Sequence, residues 1–198
     1  MSVRLVILCI LLLPLAATSF RLRCANCTSQ SLACNHTFMS CPQGDVCGSD
    51  FSYDDLGRGY SLSVTRQCIN PSVCNITSSE SIQRTHSIRV FSCCYTDYCT
   101  PSTDRILQMI NNTSPNGLVC PTCSSLLSNW CYTSETVQCK GEENMCFFLT
   151  IITKVVGRRA KAQVFRGCTI KSVCDQGNFT YEKGDTVHQE TMVCNKAR

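Results

Sequence analysis

Cys24-Ala25-Asn26-Cys27 and Cys120-Pro121-Thr122-Cys123 stand 96 residues apart, and the cysteines downstream of each pair decide the fold. In the first series, Cys24, Cys27, Cys34, Cys41, Cys47, Cys68, Cys74 and Cys93 are separated by 3, 7, 7, 6, 21, 6 and 19 residues. In the second, Cys120, Cys123, Cys131, Cys139, Cys146, Cys168, Cys174 and Cys194 are separated by 3, 8, 8, 7, 22, 6 and 20 residues. Seven consecutive intervals agree within one residue, so the chain is a tandem pair of modules. Cys94 and Cys99 complete a set of ten in the first module; the second has eight. Modules this small bury little apolar surface, and cross-links must supply the missing stability.

Composition agrees. The chain carries 19 cysteines in 198 residues, only 16% charged residues and a formal charge of +4. A reducing compartment does not sustain such a framework, and so few charges argue against a nucleic-acid partner. Arg4 is followed by an apolar run from Leu5 to Ala17 and then by Thr18-Ser19. A basic start, a short apolar run and a small-residue exit read as a signal peptide over 1–19, too short to span a bilayer as a helix. Cys9 leaves with it, and the 18 cysteines that remain read as paired. No apolar tail comes after Cys194, so no transmembrane or lipid anchor is expected and the protein is expected to be secreted. Sequons at Asn35, Asn75, Asn111, Asn112 and Asn178 are candidate glycosylation sites.

Between the cysteines the pattern is strand and turn. Cys146 to Val156 is rich in β-branched and aromatic residues, Gly157-Arg158-Arg159-Ala160 can turn it, and Lys161 to Cys168 can return. The first module repeats this, out from Val46, turning near Asp54 to Gly59, and back from Tyr60 to Cys68. Ser87 to Cys93 alternates as a half-buried strand should. Alternation along Cys146–Val156 places Phe147, Leu149 and Ile151 on one face and Phe148 and Thr150 on the other; one face packs, the other can form a recognition patch. A helical pattern at Asp104 to Ile110 precedes a turn-like Pro115-Asn116-Gly117. The expected organisation is a first module over 20–100, a linker over 101–117 and a second module over 118–198.

The C-x2-C start, the long central hairpin and the ending Cys93-Cys94-Tyr95-Thr96-Asp97-Tyr98-Cys99 resemble the three-finger fold of the lymphocyte-antigen/urokinase-receptor family. Thr100 stands where that family's module ends in Asn. The doubled form, with eight cysteines in its second half and a junction Asn116-Gly117-Leu118-Val119-Cys120-Pro121-Thr122-Cys123, is similar to the gamma-type phospholipase A₂ inhibitors. The resemblance implies an all-β, small, disulfide-rich pair of three-finger modules. It implies the bridges Cys24–Cys47, Cys27–Cys34, Cys41–Cys68, Cys74–Cys93 and Cys94–Cys99 in the first module. In the second it implies Cys120–Cys146, Cys123–Cys131, Cys139–Cys168 and Cys174–Cys194. From the residues themselves, only a Cys93–Cys94 bridge is disfavoured, on grounds of strain. The resemblance also implies a non-enzymatic inhibitor that buries the lipid-facing rim of a secreted phospholipase A₂, and a possible homo-oligomer. The proline-rich linker of the snake inhibitors is reduced here to Pro115 between Asp104 and Leu118. A second reading is a secreted signal, pheromone-like or receptor-modulating, aimed at a cell-surface protein; a third is a glycoprotein with no single target.

Catalysis, metals and cofactors find little support. The C-x2-C pairs have zinc-ligand spacing, but every mature cysteine fits the repeated framework and none is left as a nucleophile. His36, His86 and His188 lack a hydrolase or metalloprotease motif and read as surface residues. Asp54-Asp55 and Glu142-Glu143 read as solvated turns without calcium-loop spacing. No cofactor is expected. Charge is more informative. Phe20–Ile110 balances seven basic against seven acidic residues, whereas the remainder has ten against seven. Six of those ten, Lys154, Arg158, Arg159, Lys161, Arg166 and Lys171, fall in one window without an acid. Arg158, Arg159 and Lys161, at the tip of the second module's hairpin, are the candidate partner-binding residues for an acidic protein, a sulfated glycan or an anionic membrane. A solubilising cluster on an edge hairpin is the plainer reading.

Overall fold

The computed structural model describes residues 21–198, so the signal peptide expected at 1–19 lies outside the described residues. In the first module three hairpins form in chain order: β1 (Arg23–Ser29) with β2 (Thr37–Ser40), β3 (Val46–Asp55) with β4 (Tyr60–Ile69), and β5 (Thr77–Ile82) with β6 (Thr85–Cys94). A helix α1 (Asp104–Asn111) comes next. The second module repeats the plan with β7 (Pro115–Pro121), β8 (Cys123–Ser125) and β9 (Thr136–Lys140), then β10 (Met145–Val155) and β11 (Lys161–Thr169). A short helical turn α2 (Lys171–Cys174) leads to the hairpin β12 (Phe179–Lys183) and β13 (Thr186–Lys196). The chain is thus mostly β and folds as tandem three-finger-like modules.

Nine disulfides staple the two modules: Cys24–Cys47, Cys27–Cys34, Cys41–Cys68, Cys74–Cys93 and Cys94–Cys99, then Cys120–Cys146, Cys123–Cys131, Cys139–Cys168 and Cys174–Cys194. In each module two bridges lie side by side and are themselves a buried cluster, around Cys24, Cys41 and Cys47 in the first and Cys120, Cys139 and Cys168 in the second. Restricting the unfolded chain is worth roughly 2–4 kcal/mol per bridge.

An apolar cluster of six buried side chains sits in the first module. Alternation puts Phe51 of β3, Val64 of β4 and Ile88 and Val90 of β6 on one sheet face, all buried. Ile106 and Met109, three residues apart on α1, cover that face, and Ile110 packs beside them. An eight-residue helix is marginal alone. This one is held by its buried stripe, by Asp104 in its first turn and by the Ser102 hydroxyl accepting from the Asp104 amide at 3.0 Å. Pro115-Asn116-Gly117, expected as a turn, instead lies within β7 as an irregularity between Pro115 and Val119. Gly117 takes φ +88°, and the Asn116 amide donates to the carbonyls of Gly141 (3.1 Å) and Glu143 (2.7 Å), so the stretch is tied to its neighbours.

The two modules share one sheet. Strands run in the order β12-β13-β10-β11-β5-β6-β3-β4-β1-β2, with β8 also against β11. The join is an antiparallel pairing of β11 with β5, Cys168 opposite Ser81 and Thr169 opposite Glu80. Each module thereby covers an edge of the other that would otherwise expose unpaired backbone. The approach is close: a Cβ added to Gly167 would stand 2.0 Å from the Ser81 carbonyl oxygen.

Candidate partner-binding surfaces

Side chains reinforce the join. The Thr122 hydroxyl accepts from the Gln83 amide at 2.7 Å and donates to the Arg166 carbonyl at 3.0 Å. The Thr169 hydroxyl donates to the Ser79 carbonyl at 2.9 Å. Lys140 reaches Asp55 at 3.4 Å, and Arg105 of α1 pairs with Glu142 at 2.8 Å. At the centre lie Ser79, His86 and Glu143, all buried. The Ser79 hydroxyl donates to Glu143 Oε1 at 2.8 Å and contacts His86 Nε2 at 3.0 Å; Glu143 Oε2 accepts from the Lys140 amide at 2.9 Å. A hydroxyl has one proton, here given to Glu143, so His86 Nε2 is the donor to it.

This trio has the residue types of a hydrolytic triad and not its geometry. A relay needs the histidine to hold the acid through one nitrogen and the hydroxyl through the other. Here Nε2 faces both, with Glu143 Oε1 at 3.4 Å, and Nδ1 has no partner. The adjoining cavity is about 10 Å³, room for about one water at most. The trio is a polar clamp between modules. His86 and Glu143, expected as surface groups, are therefore corrected: they are 2% and 0% exposed. The signal for His86 was its alternation with Ile88 and Val90 along β6. For Glu143 no local signal exists, because only the meeting of the modules buries it.

Carboxylates around the join feel opposite fields. The Gly57 amide, and then Lys140, hold the Asp55 carboxyl below the usual carboxylate range. Burial, reinforced by the Glu143 and Glu190 carboxylates, pushes Glu80 above it. Asp54, expected in a solvated turn, accepts from the Ser87 hydroxyl at 2.7 Å.

The structure spreads the six-cation window. Arg158, Arg159 and Lys161 are exposed at the tip of the β10–β11 finger, where Gly157 takes φ +73°. The Val156 amide donates to the Asp185 carbonyl at 3.0 Å and fixes that tip to the turn of the third finger. Two of the other cations are held elsewhere. Lys171 is paired with Asp175 on α2, and Arg166 lies near the base with its guanidinium 5.6 Å from the centre of the Phe148 ring. The two phenylalanines divide as alternation requires: Phe147 is buried, and half-buried Phe148 meets Trp130 at 5.2 Å. Asn35, Asn75, Asn111, Asn112 and Asn178 are all exposed. Among the described residues, three cysteine groups bring sulfurs within 4.8 Å of one another. They are neighbouring disulfides, which offer no thiolate to a metal.

Residues 21–102 and 116–198 each match the u-PAR/Ly-6 domain, so the chain belongs to that family, whose members are extracellular or cell-surface proteins. Within the family it is 30% identical over 169 residues to phospholipase A2 inhibitor NAI of Notechis ater, covering 84% of this chain and 82% of that protein. It is 27% identical over 157 residues to the phospholipase A2 inhibitor 25 kDa subunit of Naja kaouthia, covering 77% and 82%. It is also 27% identical over 181 residues to the urokinase plasminogen activator surface receptor of Bos taurus, covering 87% of this chain and 52% of that one. Among the described residues no helix is long and apolar enough to cross a membrane.

Proposed function

We propose that this protein is a secreted, non-enzymatic binding protein that inhibits a secreted phospholipase A₂ by stoichiometric surface contact. The observation that carries the reading is the two-module likeness to inhibitors of that enzyme over more than four fifths of both chains. A body cross-linked by nine bridges and joined through one sheet loses little entropy on docking, which favours tight complexes. Fingers and inter-module surface would bury the lipid-facing rim of the enzyme and close substrate entry. Arg158, Arg159 and Lys161 supply the charged part of the contact, steering an acidic patch of the partner toward the finger tip.

The test is inhibition of a panel of secreted phospholipases by the disulfide-intact protein, read together with direct binding. Inhibition that saturates at a fixed molar ratio is expected, and Arg158→Glu with Arg159→Glu should slow association. No inhibition and no binding at micromolar protein would remove the reading.

A further inference from the structure

The first finger of the second module holds an apolar cluster that the fold leaves largely uncovered. Leu127 is 95% exposed, Tyr132 89%, Leu126 61% and Trp130 60%. Single exposed hydrophobics are ordinary, whereas four within seven residues mark an interaction site. The loop is not a loose coil. Cys123–Cys131 closes it, and Trp130 rests against Phe148. Residues 124–134 carry no charge. The matching loop of the first module, between Cys27 and Cys34, differs: Leu32 packs against the apolar core and its neighbours are small or polar.

Beside this loop runs an open groove of about 520 Å³, whose lining includes Phe148 and Val193 with Arg166, Lys196 and Arg198 and no acidic side chain. Register extends the same face along the second module. Phe148 is opposite Arg166 and Val193, and Lys154 is opposite Val187. The acids nearest this surface in sequence and register are Glu135, where the loop ends, and Glu182, opposite Val187 on β12. The result is a protruding apolar tip backed by cations, with aromatic N–H and O–H groups at the boundary.

We propose that this finger docks on an anionic phospholipid surface: Leu126, Leu127 and Trp130 enter the headgroup boundary while Arg166 and Lys196 face lipid phosphates. Tryptophan and tyrosine favour an interface with one apolar and one wet side. Cations within a Debye length of an anionic leaflet are each worth about 1 kcal/mol, or roughly fivefold in binding. The tip stands out from the body, as a group entering a lipid layer must. The proposal is independent of the phospholipase reading, since the membrane test contains no enzyme.

Trp130 is the only tryptophan of the chain, so intrinsic fluorescence reports this loop alone. The disulfide-intact protein is titrated with vesicles of phosphatidylcholine plus phosphatidylglycerol and with phosphatidylcholine alone, with co-sedimentation in parallel. A blue shift and loss of acrylamide quenching are expected with the anionic vesicles only. Leu126→Ser with Leu127→Ser should weaken co-sedimentation by roughly tenfold or more. Arg166→Gln and Lys196→Gln should each weaken it by roughly fivefold, and circular dichroism should show all variants folded. An unchanged spectrum without co-sedimentation on anionic vesicles overturns the proposal. So does equal binding to neutral vesicles, or a blue shift that tracks protein concentration without lipid, which would assign the loop to a second copy of the chain.

Discussion

The two modules share a cysteine spacing and differ in what covers their sheets. In the first, α1 closes one face with Ile106 and Met109 over Phe51, Val64, Ile88 and Val90. In the second, Phe148 and Val193 line an open groove, and the strongly exposed apolar side chains of the first finger stand beside it. Disulfides therefore fix the base of each module and leave the fate of the finger faces to the rest of the sequence. The first module packs Phe51, Val64, Ile88 and Val90 beneath a helix, and the second leaves Leu126, Leu127 and Trp130 of its first finger exposed. The linker helix is what separates these outcomes, because it belongs to the first module's core while Arg105 ties it to Glu142 of the second.

The largest expected difference comes from a matched pair of truncations. Phe51→Ala should cost about 3–5 kcal/mol of stability, as a fully buried ring does. Phe148→Ala should cost less than half as much. Urea unfolding of both variants measures it, and equal losses would mean that the second module has a core of the same kind. Next is the join. Gly167→Ala places a carbon against the Ser81 carbonyl and should separate β11 from β5, at about 1–3 kcal/mol, with unfolding resolving into two transitions. A single sharp transition of unchanged midpoint would show that the join adds nothing.

The smallest effects are those of pH, and they have opposite signs. Asp55 titrates below its unfolded value, so its contribution is present above the ordinary carboxylate range and is lost as pH falls through that range. Asp55→Asn should flatten the acid side of a melting-temperature profile. Glu80 titrates above its unfolded value, so it favours the folded state least once pH has risen past both values. Glu80→Gln should therefore raise the melting temperature near neutral pH and change it little in acid. Profiles that move together would show that both carboxylates act through something other than their local fields.

Much of this was legible in the residues. The repeat, the hairpins and the helix at Asp104 are local patterns, and spacing or alternation encodes them. Alternation also placed Phe147 and Phe148 on different faces. The clamp was not legible, because Glu143 meets Ser79 and His86, residues distant from it in the chain, and such a contact leaves no periodic trace. His86 was half legible: its strand position pointed inward, while its residue type suggested the surface. The cation window was partly legible: Arg158, Arg159 and Lys161 stand at the finger tip, while α2 turns Lys171 toward Asp175 and Arg166 lies over Phe148. The exposed loop around Trp130 lay between two cysteines, where spacing constrains the ends and says nothing about which way the side chains turn.

The two modules form one continuous body rather than beads on a linker. Native-state hydrogen exchange reads this directly, at those amides that donate between β5 and β11, where Cys168 stands opposite Ser81 and Thr169 opposite Glu80. A continuous sheet predicts protection there approaching that of the core strands β3 and β6, lost only with global unfolding. Exchange at those amides as fast as in the exposed finger tips, with the core strands still protected, would contradict it.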